Sequence, residues 1–233
     1  MFTYPFSMLP NGVSVTQPPS RKSILSTQRL ALFRSMKNGM IMSCNPRHTS
    51  FCIRLEFDRR INAYTNRPFA FHFTDQQYTV YPTYIACLTD GTCLHYQLTT
   101  REQRYDPEVR SLLRRCRICF ADVGLVLKQV DVDFDCPTLR RVYHEATLGS
   151  ASQIPAIQQL LKEQPHGRAT LHYLLHQGMQ KNDVAYGLFH GFLAADLVRP
   201  LTADTEIATA RTMPPHLPIG SPVSDAPFLS SAA

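Results

Sequence analysis

The stretch that decides the fold reads Leu55-Glu-Phe-Asp-Arg-Arg-Ile-Asn-Ala-Tyr-Thr-Asn-Arg-Pro-Phe69. Residues 47–60 mix apolar and basic side chains in a helical pattern, and Leu55 and Phe57 give that helix a core face. The chain then continues as Phe69-Ala-Phe-His-Phe73, where large and small side chains alternate as they do in a half-buried strand. The stretch therefore predicts a helix that leads into a β-sheet.

Further strand patterns follow at residues 78–81 and 84–88, and Pro82 separates them. Asp90-Gly91 lies between two apolar runs and predicts a hairpin, because the turn needs a positive φ that Gly adopts freely. The returning strand is expected at residues 93–98.

Asp106-Pro107 predicts the start of a helix, because Asp106 can accept from backbone amides and proline suits the first helical position. A strand and another helix follow. These three elements are expected at residues 107–121, 125–134 and 137–149. A helix, several mostly antiparallel strands, a helix, a strand and a helix together indicate an α+β (α/β-like) core.

The C-terminal part is expected to form a second module after a linker at residues 150–153. Three short helices and then a β-ribbon are predicted at residues 154–161, 170–176, 183–194 and 196–207. Three short helices followed by a ribbon are typical of a winged helix. The N-terminus carries several Pro, Ser, Thr and Gln, and the C-terminus is rich in Pro, Ser, Gly and Ala. Neither has periodic apolar positions, which indicates tails. The predicted domains are a flexible tail at 1–20, the core at 21–149, the winged-helix-like domain at 150–211 and a disordered tail at 212–233.

The positive charge is concentrated in the N-terminal half. The formal net charge is +6. Residues 21–60 carry nine Lys and Arg against Glu56 and Asp58, whereas residues 146–233 carry five bases against six acids. A basic surface attracts polyanions, most often nucleic acid, although a solvated basic surface without a ligand gives the same composition.

Composition also limits the cellular setting. No run of about 18 apolar residues is present, which argues against a membrane span, and the N-terminus does not read as a signal peptide. The seven cysteines follow no regular framework, which favours a reducing compartment over a disulfide scaffold. We therefore expect a cytoplasmic protein without a membrane partner.

Residues 43–99 resemble the N-terminal domain of TnsA-type transposon endonucleases. That family has Leu-Glu-Phe-Asp-Pro, Gln-Pro-Phe, Thr-Pro-Asp-Phe, a Gly-containing turn and a strand ending Glu-Val-Lys. The matching segments here are Leu55-Glu-Phe-Asp-Arg59, Arg67-Pro-Phe69, Tyr81-Pro-Thr-Tyr84, Asp90-Gly91 and Tyr96-Gln-Leu-Thr99. Gly191-Phe-Leu-Ala-Ala-Asp-Leu197 is similar to the Gly-x-Leu-x-x-Asp-Leu end of the family's C-terminal domain. The resemblance implies a restriction-endonuclease-like mixed-sheet core followed by a winged helix.

The departures from that family concern its catalytic residues. Its first Glu falls near His48, its Asp on Thr83, and its Glu/Gln-x-Lys pair on Gln97 and Thr99. Mg²⁺ prefers anionic oxygen ligands, and in two-metal hydrolysis it polarises the phosphate and activates water. Thr83 supplies no carboxylate and Thr99 no charge, whereas Gln97 also occurs in family members. The resemblance thus implies a degenerate site without a cofactor; Mg²⁺ is expected only if the nuclease is active.

The resemblance also implies partners. We expect a non-cleaving subunit of a bacterial, nucleoid-associated DNA transposition machinery that binds transposon ends and docks onto a DDE-type transposase, with an AAA+ regulator as a further partner. One alternative is an active endonuclease that nicks transposon ends with relocated ligands at Glu56 or Asp58. Another is a repurposed DNA-binding regulator. Neither the target sequence nor the oligomeric state follows from the sequence.

Two surfaces are candidates for contact with these partners. The expected DNA-binding residues are basic and lie in the N-terminal half or on the helix that follows Pro107: Arg21, Lys22, Arg34, Lys37, Arg110, Arg114, Arg115 and Arg117. Pairing of the helical arginines with Asp106 and Glu108 is the alternative. The expected protein-binding residues are aromatic and lie in a segment without Lys or Arg: Tyr186, Phe189 and Phe192.

Three other groups have the spacing of metal sites. Asp131, Asp133 and Asp135 alternate along a predicted strand, which also suits a solvated or protected edge. The Cys116 and Cys119 pair has no second half of matching spacing, so buried small side chains are the better interpretation. The His172 and His176 pair lacks the Glu of a His-Glu-x-x-His site, which favours either a helical surface pair or one core and one surface histidine. We expect no metal at these positions.

Overall fold

The computed structural model describes residues 4, 9–16, 30–66, 69–132 and 137–210. These residues form two compact units, which divide between Phe134 and Asp135. Helices and several sheets are mixed in sequence, as the α+β prediction requires. In the part of the chain described, no helix is long and apolar enough to cross a membrane.

The first unit contains nine strands and three helices among its described residues. They are β1 (Val13–Thr16), β2 (Ala31–Ser35), β3 (Met40–Cys44), α1 (Thr49–Phe57), β4 (Ile61–Thr65), β5 (Ala70–Phe73), β6 (Tyr78–Val80), β7 (Tyr84–Leu88), β8 (Cys93–Thr99), α2 (Arg101–Tyr105), α3 (Pro107–Asp122) and β9 (Leu127–Asp131). Asp106 accepts hydrogen bonds from the amides of Glu108 and Val109, which confirms the predicted start of α3.

A four-stranded sheet in the order β4–β7–β8–β9 organises this unit. The first three strands are antiparallel, and β9 lies parallel to β8. The antiparallel pair β7–β8 is closed by the predicted Asp90-Gly91 turn, in which Gly91 has a φ of 87°. Two parallel neighbours need a long crossover, which α2 and α3 provide. The predicted strand at 125–134 is shorter in the structure, at 127–131.

A second sheet, β1–β5–β6, corrects the expectation of a flexible tail over residues 1–20. Val13–Thr16 pairs antiparallel with Ala70–Phe73. The free edge of β5 allows this pairing, and the two alternating valines then lie opposite Phe71 and Phe73. The cluster beneath contains Phe71, Phe73 and Phe120, all almost fully buried.

His95 lies inside that same cluster and is fully buried. Its Nδ1 donates to the Val126 carbonyl at 3.2 Å, so its Nε2, 3.1 Å from the Tyr4 hydroxyl, accepts from that group. The rings of Phe71 and Phe120 pack at 4.9 and 5.0 Å from the imidazole. Burial lowers the pKa of His95 to about 4, so the ring is neutral near pH 7.

The second unit has four helices and three strands among its described residues: α4 (Pro137–Ala146), α5 (Ile154–Lys162), β10 (Arg168–Thr170), α6 (Leu171–His176), α7 (Lys181–His190), β11 (Leu193–Ala194) and β12 (Glu206–Thr209). The strands form an antiparallel sheet in the order β10–β12–β11. The predicted ribbon at 196–207 is therefore displaced: its two strands lie at either end of that segment.

Helix α4 belongs to the second unit, whereas the sequence analysis placed residues up to 149 in the first domain. Its buried residues include Val142 and Tyr143, and the Tyr143 ring lies 5.7 Å from that of Phe189 on α7. An apolar face that has a partner helix in the second unit explains this shift of the boundary.

Two glycines of the second unit occupy positions without room for a side chain. A Cβ at Gly187 would lie 2.5 Å from Leu193 Cδ1, and one at Gly149 would overlap the Asn182 carbonyl. Helix α7 therefore packs at Gly187 directly against the Leu193 side chain of β11, and its main chain at Asn182 packs directly against Gly149 in the chain before α5.

Candidate functional site

Three of the four expected catalytic positions lie together at one end of the β7–β8 pair. Thr83 directly precedes β7, and its Oγ1 accepts from the Leu98 amide at 3.1 Å. Gln97 and Thr99 flank Leu98 on β8 and project from the opposite face of that strand, because successive side chains alternate. Thr99 is buried, and its Oγ1 accepts from Gln129 Nε2 at 3.2 Å. Thr99, at the position expected from the resemblance for a lysine, is thus part of a local hydrogen-bond network.

His48, the fourth position, lies near the same end of the sheet. It ends a short 3₁₀ turn, Pro46–His48, that leads into α1. Its ring centroid lies 5.7 Å from that of Tyr84, the residue after Thr83. Burial lowers the pKa of His48. The four positions therefore supply an imidazole, two hydroxyls and an amide, a donor set without the anionic oxygens that Mg²⁺ prefers.

Glu56, one of the two relocated ligands considered above, is buried and only 3% exposed. Its Oε1 accepts from the hydroxyls of Ser35 at 2.6 Å and Tyr64 at 2.7 Å. Its Oε2 accepts from the amides of Met36 and Lys37 at 3.2 and 3.1 Å. Four donors thus occupy both carboxylate oxygens, and the group fastens the turn between β2 and β3 to α1 and β4.

Asp58 and Lys37 complete this buried polar group. Asp58 pairs through both oxygens with Arg60, at 3.0 Å from Nε and 2.7 Å from Nη2. The Lys37 ammonium donates to the backbone carbonyls of Asp58 and Ile61. Burial lowers the pKa of Lys37, although the nearby Glu56 and Asp58 carboxylates oppose that shift. Lys37, expected to contact DNA, is instead directed into the protein.

Sequence reasoning assigned no structural role to this network. The available signal was the position of Glu56 between Leu55 and Phe57 in a helix whose other buried residues are apolar. A carboxylate on such a face must be buried and hydrogen-bonded. The identity of its donors depends on Ser35 and Tyr64, which only the folded chain brings close.

The other metal candidates have ordinary structural roles or lie outside the described residues. Asp131 pairs with Arg104 at 2.8 Å, whereas Asp133 and Asp135 fall outside the described ranges. Cys116 and Cys119 are buried on α3 in the apolar cluster. His172 and His176 are exposed on α6, with ring centroids 6.3 Å apart. Within the described residues, no group of three or more His, Cys, Asp or Glu could hold a metal.

The basic surface is clearest on α3. Arg110, Arg114 and Arg117 are exposed there, and in the described part of the chain no carboxylate lies within ion-pair distance of any of the three. Pairing with Asp106 or Glu108 is therefore not observed. Arg115 instead stacks on the Tyr78 ring, with Cζ 4.4 Å from the centroid. Of the remaining candidates, Arg34 is exposed on β2, and Arg21 and Lys22 lie outside the described residues.

The three aromatic residues expected to bind a protein have different environments. Phe189 is buried at 7% exposure, whereas Phe192, just after α7, is 43% exposed. Tyr186 is half-buried and stacks on His190, with 4.1 Å between centroids. Lys181 at the start of α7 forms an ion pair with Glu145 at 2.6 Å, so its positive charge is balanced. Phe192 is thus the most exposed of these three candidates.

No protein-family model matches this sequence. The resemblance to the transposon endonucleases therefore depends on the short motifs alone, and the functional argument on the geometry of the described residues.

Proposed function

We propose that this chain is a TnsA-like, non-cleaving DNA-binding subunit that helps to assemble a transposition complex with a DDE-type transposase. The observation that carries the proposal is the convergence of Thr83, Gln97 and Thr99 at one end of a mixed sheet. The motif positions of the resembled nuclease are neighbours in space here, but their metal ligands are absent. That combination favours a protein that has the nuclease-like fold but lacks the metal-dependent cleavage.

The architecture of the first unit supports the restriction-endonuclease-like part of the proposal. Helix α1, the antiparallel strands β7 and β8, a crossover helix and the parallel strand β9 follow one another in the order expected from the sequence, whereas β4 was not among the predicted strands and the predicted strands β5 and β6 belong to another sheet. Strands β5 and β6 are inserted between β4 and β7. In the second unit, three short helices and the β11–β12 pair support the winged-helix interpretation.

The electrostatics support DNA as the ligand of the first unit. Arg110, Arg114 and Arg117 recur every three or four residues, so they lie along one exposed face of α3. Arginines without carboxylate partners can neutralise phosphates and release counterions, which makes binding sequence-tolerant and salt-dependent.

This proposal predicts that full-length Arg114→Gln/Arg117→Gln protein binds duplex DNA more weakly. Loss of two phosphate contacts should lower affinity by about tenfold or more near 0.1 M salt and flatten the slope of log K against log salt by about two. Fluorescence anisotropy across a salt series measures both quantities. The matched control, Lys162→Gln/Arg199→Gln, removes the same charge from exposed sites of the second unit. Equal affinities for both double variants, or salt-independent binding of the wild type, would contradict the proposed interface.

A second prediction concerns cleavage. Purified full-length protein with Mg²⁺ or Mn²⁺ should leave supercoiled and transposon-end DNA intact, alone and with its transposase, because the expected Asp and Lys positions are Thr83 and Thr99. Gel assays of nicked and linear products measure this. Metal-dependent nicking that disappears in Asp58→Asn would refute the non-cleaving proposal and favour relocated ligands.

A restoration series extends this test. The Thr83→Asp/Thr99→Lys variant should remain inactive, because a metal pair needs more than one carboxylate. Addition of His48→Glu supplies the second carboxylate near the same end of the sheet.

The second unit is proposed to bind the transposase, with an AAA+ regulator as a further partner of the complex. Exposed aromatic side chains in an uncharged setting are typical of protein interfaces. We expect Phe192→Ser in the full-length protein to weaken binding to the transposase by about tenfold or more, as removal of a central aromatic contact does. Co-purification and titration measure this. Leu148→Ser, at another exposed apolar residue of the unit, is the control; equal losses in both variants would count against Phe192 as the contact.

A further inference from the structure

Cys87 and Cys93 face each other across the β7–β8 hairpin, away from the degenerate nuclease positions. Their sulfur atoms are 2.8 Å apart, and the two residues are direct cross-strand partners. A disulfide needs about 2.0 Å between the sulfurs, so less than one ångström of movement separates this contact from a bond.

The backbone between them fixes the type of pairing. The Leu88 amide donates to the Thr92 carbonyl at 2.8 Å. Hydrogen-bonded and non-hydrogen-bonded pairs alternate along an antiparallel ladder, so Cys87 and Cys93 form a non-hydrogen-bonded pair. In such pairs the Cα atoms lie about 4.5 Å apart, at the short end of the range that a disulfide tolerates. The hairpin can therefore hold the bond without opening, and the partial exposure of both residues leaves the bond accessible to reduction by a thiol.

We propose that Cys87 and Cys93 are a reversible thiol–disulfide site whose oxidant is a small-molecule disulfide of the glutathione type. The Cys87 thiolate attacks one sulfur of that disulfide, and the other sulfur leaves as a thiol. Cys93 then attacks the Cys87 sulfur of the mixed disulfide and releases the second thiol. The protein loses two protons and two electrons, and the oxidant takes them up to become two thiols.

The surroundings assign the two roles. The two thiols share a hydrogen bond in which either sulfur can be the donor. With Cys93 as the donor, the bond lowers the pKa of Cys87. We therefore take Cys87 as the attacking sulfur and Cys93 as the resolving one. Both residues are partly exposed, which admits a small oxidant. By contrast, burial raises the pKa of both Cys116 and Cys119 on α3, and these two thiols are enclosed in the apolar cluster. Thiolate character and access together decide which cysteines react.

The sequence makes the test direct, because trypsin releases residues 61–101 as one peptide whose only cysteines are Cys87 and Cys93. Reduced full-length protein is exposed to glutathione disulfide, quenched with acid, alkylated and digested without reductant. We expect most of this peptide to lack two hydrogens and to carry no alkyl group, and dithiothreitol to restore two alkylation sites. A fully alkylated peptide, or a bond from either residue to Cys136 or to a second chain, would overturn the proposal.

Variants test the order of the two steps. In Cys93→Ser the mixed disulfide has no resolving thiol, so we expect stable glutathione on Cys87 in most molecules. In Cys87→Ser we expect at least severalfold less glutathione on Cys93, and Cys116→Ser should form the wild-type bond. Equal modification of both single variants would overturn the assigned roles.

Discussion

Replacement of Glu56 by alanine is expected to lower the free energy of unfolding by about 3–5 kcal/mol, the range measured when one partner of a buried charged group is removed. The Ser35 and Tyr64 hydroxyls and the Met36 and Lys37 amides would lose their acceptor, and each buried donor left unsatisfied costs free energy. Urea unfolding followed by circular dichroism measures the loss.

Two further variants make this prediction specific. Tyr64→Phe removes a single donor and should cost about 1 kcal/mol. Glu108→Ala changes an exposed carboxylate and should stay within about 0.5 kcal/mol of wild type. If Glu56→Ala is no more destabilising than Glu108→Ala, the Glu56 carboxylate does not hold the β2–β3 turn in place. That result would favour the alternative in which Glu56 is a metal ligand.

The second large effect is a loss of stability in mild acid that depends on His95. In the unfolded chain this imidazole titrates near 6.5, whereas burial lowers its pKa to about 4 in the fold. Between these values the unfolded state binds a proton that the folded state does not, so stability is fully present above pH 6.5 and falls as the pH drops towards 4. The contribution lost from pH 6.5 to 5 is about 2 kcal/mol.

Comparison of variants isolates this contribution, because His48 and His190 also have lowered pKa values. His95→Gln retains a donor for Val126 and an acceptor for Tyr4 but does not titrate. The difference in unfolding free energy between wild type and His95→Gln should therefore shrink as the pH falls from 6.5 to 5. His144→Gln, at an exposed site, should follow the wild-type pH dependence. A constant difference between wild type and His95→Gln would show that His95 does not control the acid response.

Features whose cause lies within a few residues could be predicted from the sequence. The Asp90-Gly91 turn and the cap at Asp106 depend on side chains next to the backbone they organise, and both form as expected. The short apolar runs that became β7 and β8 were likewise found within one residue of their predicted ends.

Features that depend on distant partners could not be predicted. Val13–Thr16 looked like part of a tail because only β5, more than fifty residues away, makes it a strand. Strand β12 pairs with both β10 and β11, so the ribbon's boundaries depend on contacts that local composition does not encode. The four positions at the sheet end were predicted from the resemblance. The hydrogen-bond donors around Glu56, which make it a structural residue, were not predicted.

The two crowded glycines of the second unit limit how this module can diverge. Any side chain at Gly187 must displace Leu193, and any at Gly149 must displace the main chain at Asn182. Exposed positions can change at little cost while these two remain fixed, because displacing a buried side chain or the main chain costs more than an exchange of exposed residues. Distant relatives of the module should therefore share a pair of glycines 38 positions apart, one just before α5 and one inside α7. We expect this pair to remain even where the rest of the sequence no longer aligns.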